Sequence, residues 1–295
     1  LTTYAVTTTG SASQTFSANV TTSGNQTYTA AGGIVTSGAR TFEGDTINFA
    51  SALSGDNNVT VTGNADIDGA ITDIAVLAIS GTSNIGADIT TSDTQTYTGA
   101  VTLSAAVTLT SSGDVITFSN TVNSADSTNR NLTVTTGGNT VHINFDGIVG
   151  GSQGVGAIAL TGVLDLNAAI ADANSLTVSG ASLLDADVTT SGNQTYSGAI
   201  TISGGARTLE GSTIQTSTID AAISNTTNLT ITGNLDLNGT IGHNTRPVIF
   251  SVSGTSNLGA NVLSNGTQTY SGAVTLSANA TLTSSNDNFT FSDAI

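Results

Sequence analysis

The sequence predicts an all-β chain: a parallel β-solenoid of roughly a dozen rungs, about 25 residues each, with almost no helix. Three observations carry this. The phrase Gln-Thr-Tyr-(Thr/Ser)-Gly-Ala-(Val/Ile)-Thr-(Leu/Ile)-Ser recurs at 95–104, 194–203 and 268–277, with a decayed copy from Gln26 and a remnant at Gln14-Thr15-Phe16. Short segments alternate apolar residues with Thr or Ser, the period of a strand with one face in and one face out. No stretch sustains the 3.6-residue apolar period of a helix.

The elements follow in two tiers. Residues 95–122 align without gaps with 268–295, and the stretch from Gln26 aligns with that from Gln194, so that Gly38-Ala39-Arg40-Thr41-Phe42-Glu43-Gly44 lies on Gly205-Ala206-Arg207-Thr208-Leu209-Glu210-Gly211. The long copies therefore read A-B-A-B. Inside them, strand-like tetrapeptides start at Val59, Leu77, Val101, Leu132, Ile158, Leu176, Ile200, Leu229 and Val274, with a weaker one at Phe250. Turns are written in Gly, Asn, Asp and Ser, and Pro occurs once, at Pro247. The only Asn-Gly pairs, Asn238-Gly239 and Asn265-Gly266, do not separate strands as tight hairpins do, which favours parallel stacking of coils of two or three strands. The extra residues at 124–156 read as one whole added rung. Pattern breaks at 123–157 and 241–249 are where a special site is expected. Residues 1–295 read as one continuous array that starts and stops mid-pattern, expected of a fragment of a longer chain or of a unit joining its neighbours end to end.

Aromatic residues are 4% of the chain, so Val, Ile, Leu and Ala must fill a narrow interior. Phe42, Phe49, Phe118, Phe145, Phe250, Phe289 and Phe291 are expected as single core plugs, and Tyr28, Tyr97, Tyr196 and Tyr270 as fillers of a wider corner once per long copy. Twenty acidic side chains against four basic ones, all Arg, give a net charge of −16. That disfavours nucleic acid, which needs a basic footprint, and anionic membrane surfaces. It also favours dispersed, mutually repelling molecules. Without Lys, Lys–Asn isopeptide crosslinks are impossible. Without Cys, so are disulfides and thiolate metal sites. No run is long and apolar enough for a membrane span, and no basic n-region opens the chain.

The metal candidates are Asp66, Asp68, Asp185 and Asp187, from the pattern Asp-x-(Asp/Asn) that also appears at Asp165-Leu166-Asn167 and Asp236-Leu237-Asn238. Alternate strand residues share a side, so each pair could approach a Ca²⁺. Calcium takes six or more oxygens, however, and the Gly-rich nonapeptide of calcium-stacked rolls is missing, which favours solvated or turn-forming carboxylates. His142 is expected to face outward between Val141, Ile143 and Phe145, and His243 to sit in a turn; neither has a Cys or His partner nearby. Arg40 with Glu43, and Arg207 with Glu210, follow the repeat and so read as structural; three residues apart, the Arg and Glu could pair at a bend. Acidic residues that follow the repeat speak against a polysaccharide-cleaving enzyme, whose carboxylates interrupt a scaffold, so the chain reads as a non-enzyme with no cofactor beyond that calcium question. Varying rung lengths speak against an ice-binding Thr array. Asn-x-(Ser/Thr) sequons, as at Asn19 and Asn193, permit glycosylation without indicating it.

The segment Thr189–Ser203, the run Ala-Thr-Leu-Thr-Ser-Ser at 280–285 and Leu176-Thr-Val-Ser-Gly180 resemble the repeat regions of giant bacterial surface proteins of the filamentous-haemagglutinin and autotransporter-adhesin kind. The likeness spans essentially the whole chain. It implies a right-handed parallel β-helix, export through the outer membrane to the cell surface, and service as stalk, filament or adhesive surface. The expected function is a structural segment of an extracellular fibre, its main partner other copies of itself. The alternative is an adhesin module gripping a glycan or cell-surface receptor along one face.

Overall fold

A computed structural model describes residues 2–137, 142–222, 227–285 and 287–295. These residues form strands, turns and bends, with no helix. They build a parallel β-solenoid of about 14 turns of about 20 residues. The chain divides into two compact units, Leu1–Gly156 and Ala157–Ile295.

In the first unit each turn has three faces. The first face stacks Val20–Thr22, residues 40–43, residues 59–62, Leu77–Ile79, Gln95–Tyr97, Ile116–Phe118 and His142–Phe145. The second stacks Val6–Thr8, Gln26–Tyr28, residues 46–49, residues 64–67, Ser83–Ile85, Val101–Leu103 and Val122–Ser124. The third stacks Gln14–Phe16, Ile34–Thr36, Leu53–Ser54, Ile71–Ile74, Ile89–Thr91, Val107–Ser111 and Leu132–Thr135. All these pairs are parallel, as expected. The long strand Arg40–Phe49 serves two faces by a register shift between Glu43 and Thr46. The added rung is present as well: Leu132 stacks on Val107, Ile143 on Ile116 and Val149 on Val122, one position on each face.

The second unit repeats the plan. One face runs through Val163–Leu166, Ser182–Leu184, Ile200–Ile202, Ile219–Ala221, Ile241 and Val262–Ser264 to Leu282–Ser284. The next runs from residues 170–173 through Val188–Thr190, 207–210, 229–232, Phe250–Val252 and Gln268–Tyr270 to Phe289–Phe291. The last runs from residues 176–178 through Gln194–Tyr196, 213–216, 234–237 and Ser256–Leu258 to Val274–Leu276.

The turns are shorter and more numerous than the expected dozen of about 25 residues. Leu77 stacks under Gln95 and Gln95 under Ile116, steps of 18 and 21 residues. The count came out low because the apolar–Thr tetrapeptides lie on different faces: Val59 and Leu77 on the first, Val101 on the second, Leu132 on the third. Strands with a polar inward residue, such as Ser83–Ile85 and Gln95–Tyr97, escaped the pattern although Ser83 and Gln95 are buried.

The core is a file of Val, Ile and Leu with aromatic inserts. These are not single plugs. Tyr97, Phe118 and Phe145 stack on successive turns, ring centroids 5.3 and 4.9 Å apart and planes within 10°. Tyr28 stacks on Phe49 at 5.6 Å and Tyr270 on Phe291 at 5.2 Å. In-register parallel strands place like positions about 4.8 Å apart, which brings rings on successive turns into offset stacking range. Phe289, expected in the core, is 40% exposed. Among the described residues its strand pairs with Gln268–Tyr270 alone.

Candidate functional site

The recurring phrase is the most developed polar constellation in the molecule, and it faces inward. Gln26, Gln95, Gln194 and Gln268 are each fully buried. Each lies just past a corner, and its Nε2 points back across that corner. It donates to the carbonyl six residues earlier, that of Val20, Ile89, Val188 or Val262, at 3.1–3.5 Å. It also meets the hydroxyl four residues earlier, on Thr22, Thr91, Thr190 or Ser264, at 3.1–3.4 Å. The shortest bond reaches the next turn, at Glu43, Thr110, Glu210 or Thr283 O, 2.6–2.8 Å. The tyrosine hydroxyl two residues on donates to Gln Oε1 at 2.6–3.0 Å. Burial pushes all four phenols up, so at neutral pH each is a protonated donor.

The clasp extends upstream. The Thr or Ser hydroxyl four residues before Gln donates to the carbonyl two residues beyond itself, at 2.6–2.9 Å. Seven residues before Gln stands Asn19, Asp88, Asp187 or Asn261, whose Oδ1 accepts the amide N–H of Thr41, Thr108, Thr208 or Thr281 in the following turn, at 2.7–3.0 Å. Asn and Asp interchange here because only an acceptor oxygen is required.

That observation bears on the metal candidates. Asp187 is one of these acceptors. Asp66 receives Asn48 Nδ2 on Oδ2 at 2.6 Å and Asn84 Nδ2 on Oδ1 at 2.8 Å, amides from the turns on either side. Asp236 is held the same way by Gln215 and Asn257, each at 2.9 Å. Asp68 is exposed at the end of the strand Val59–Ile67. Asp185 is half-buried, with Oδ1 lacking a hydrogen-bond partner. Among the described residues no three His, Asp or Glu gather closely enough to hold a metal ion. The geometry thus assembles no calcium shell from Asp66, Asp68, Asp185 and Asp187, and gives two of them hydrogen-bonding work instead.

The other expectations resolve individually. His142 is exposed with Ile143 and Phe145 buried beside it; Val141 lies outside the described residues. His243 is exposed in its turn. Arg40 does not pair with Glu43. Its guanidinium donates to the carbonyls of Phe16 at 3.1 Å, Ala39 at 2.5 Å and Ser37, capping the bend, while Arg207 reaches Ala206 O at 2.6 Å. Among the described residues the one ion pair is Arg130–Asp126, 3.2 Å. Hydrogen bonds from the Thr128 amide and then the Thr128 side chain, with a smaller contribution from Arg130, hold the Asp126 carboxyl below its ordinary range.

The pattern breaks are closed by their own bonds. Asn123 Oδ1 accepts the amides of Ser152 at 3.0 Å and Gln153 at 3.4 Å. Asp220 accepts the Asn244 amide and side chain, each at 2.9 Å. In the second unit a hollow of about 340 Å³ is lined by Thr213, Asn234, Asp236, Thr255, Asn257 and Thr275. It carries no aromatic platform, and its one carboxylate is already engaged.

The class these features define is a parallel β-solenoid whose repeated polar residues lock its corners. No family model matches the chain, and neither the curated proteins nor the solved structures give a match. Among the described residues no helix is long and apolar enough to cross a membrane.

Proposed function

We propose that this chain is a structural segment of an extracellular bacterial fibre or stalk, part of a surface protein of the filamentous-haemagglutinin and autotransporter-adhesin kind. It supplies reach and stiffness and associates with copies of itself. One observation supports this above the rest: what the chain copies most faithfully, the Gln-Thr-Tyr clasp, is turned into the core and bonds turn to turn. Repetition that serves a ligand would instead copy outward chemistry. Electron microscopy of the native cell surface, with antibody against this segment, tests the reading. Labelled continuous filaments are expected. Unassembled molecules that bind a sugar saturably would replace it with the glycan-binding alternative, for which the amide-lined hollow around Asp236 and Asn257 is the place to look.

A further inference from the structure

We infer that Asn238 is a site of spontaneous modification, an asparagine that converts to aspartate and isoaspartate in the folded protein, whereas Asn265 is held against the same reaction and converts more slowly. Both precede glycine, and no Cβ on the following residue hinders the approach of its nitrogen. In the reaction the Gly239 amide nitrogen gives its proton to solvent base and attacks Asn238 Cγ. The new C–N bond closes a succinimide, the Cγ–Nδ2 bond breaks and ammonia leaves. Water then opens the ring at one of its two carbonyls, giving aspartate or isoaspartate. No electrons are exchanged, and water is the only co-reactant.

The surroundings of the two glycines separate the sites. Gly266 N–H donates to Val248 O at 2.7 Å and Asn265 N–H to Pro247 O at 2.9 Å, so the attacking nitrogen is tied into the ladder between turns. The Gly266 carbonyl also takes the hydroxyls of Ser264 and Ser284. Asn265 is half-buried and Asn238 is exposed. Asn238 N–H donates to Thr216 O at 2.9 Å, but its side chain and the Gly239 N–H make no hydrogen bond. The first unit holds the matching corner at Asp68-Gly69. There both amides donate to Phe49 O, at 3.1 and 2.8 Å, and Gly69 N–H is held. The second of these two bonds is the one missing at Gly239.

The product matters to the corner. A Cβ on Gly239 would crowd Thr218 N at 2.5 Å and Ser217 C at 2.6 Å. An isoaspartyl link adds a methylene to the main chain at this tight place, and either product adds one negative charge.

The intact protein is incubated at mildly alkaline pH and mapped by peptide mass spectrometry, with a second sample held in urea. In the folded protein Asn238 is expected to convert roughly tenfold faster than Asn265, the factor set by first breaking one backbone hydrogen bond. In urea the two should convert at similar rates. The Asn238→Gln variant should lose the modification at 238 and leave the rate at Asn265 unchanged. Equal rates in the folded protein, or an Asn238 that stays amidated while its urea counterpart converts, would overturn the assignment.

Discussion

The buried Gln is the residue on which each corner depends. Its amide satisfies carbonyls in its own turn and the next, and its Oε1 receives the tyrosine, so four polar groups lose a partner if it goes. Leaving buried donors and acceptors unpaired costs more than making the bonds gains. Gln95→Leu keeps the volume and removes the bonds; it is expected to destabilise by about 3 kcal/mol. Tyr97→Phe removes one hydroxyl, keeps the stack on Phe118, and should cost about 1 kcal/mol. Urea titration followed by far-ultraviolet circular dichroism measures both. A Tyr97→Phe penalty equal to that of Gln95→Leu would show that the ring, not the amide, holds the corner.

At the scale of strands and corners, turns stack closely enough that one atom decides a residue. Gly63 has φ +133°, and a Cβ there would overlap the carbonyl oxygen of Gly44 in the turn before. Gly10 has the same φ and open space around it. Gly63→Ala is therefore expected to cost about 3 kcal/mol, strain plus collision, and Gly10→Ala about 1 kcal/mol from strain alone. Similar melting shifts for both would remove the collision from the argument. This scale also shows what could be read from the chain. Alternating tetrapeptides such as Leu229-Thr-Ile-Thr announced their strands because their inward residues are apolar. Ser83, Gln95 and Ser256 also point inward, but as polar side chains they broke the pattern that marks a strand. The Gln-Thr-Tyr phrase was visible as a repeat. Its role was not, because a buried amide is recognised only when the carbonyls it meets are known, and the one it bonds at the shortest distance belongs to the next turn. The interchange of Asn19, Asp88, Asp187 and Asn261 at one position was the available sign that those carboxylates act as plain acceptors.

Along the whole molecule the phrase keeps a fixed relation to the coil within each unit. From Gln26 to Gln95 the chain lays down eleven strand positions, and from Gln194 to Gln268 again eleven, although the residue counts differ. With three positions to a turn this is three and two-thirds turns, so the clasp falls on a different face in successive copies: the second face for Gln26, the first for Gln95. The invariant is thus the strand count, and loop length is free to vary at the corners. An array of this kind is held by contacts between neighbouring turns, so a whole turn should be removable and a fraction of one should not. Ser83 stacks on Ala65, which makes residues 65–82 one turn. Excising them joins Asn64 to Ser83 and returns every later strand to its own face. That variant is expected to fold with an unchanged far-ultraviolet spectrum per residue and a modestly lower melting temperature. Excising 65–76 removes two positions instead of three and joins Asn64 to Leu77. It sets Leu77 where Ala65 stood and throws each following strand one face out of step, so inward residues meet corners of the wrong length. That shorter deletion is expected to lose cooperative melting. If both variants melt alike, the three-position turn is not the unit that the fold counts.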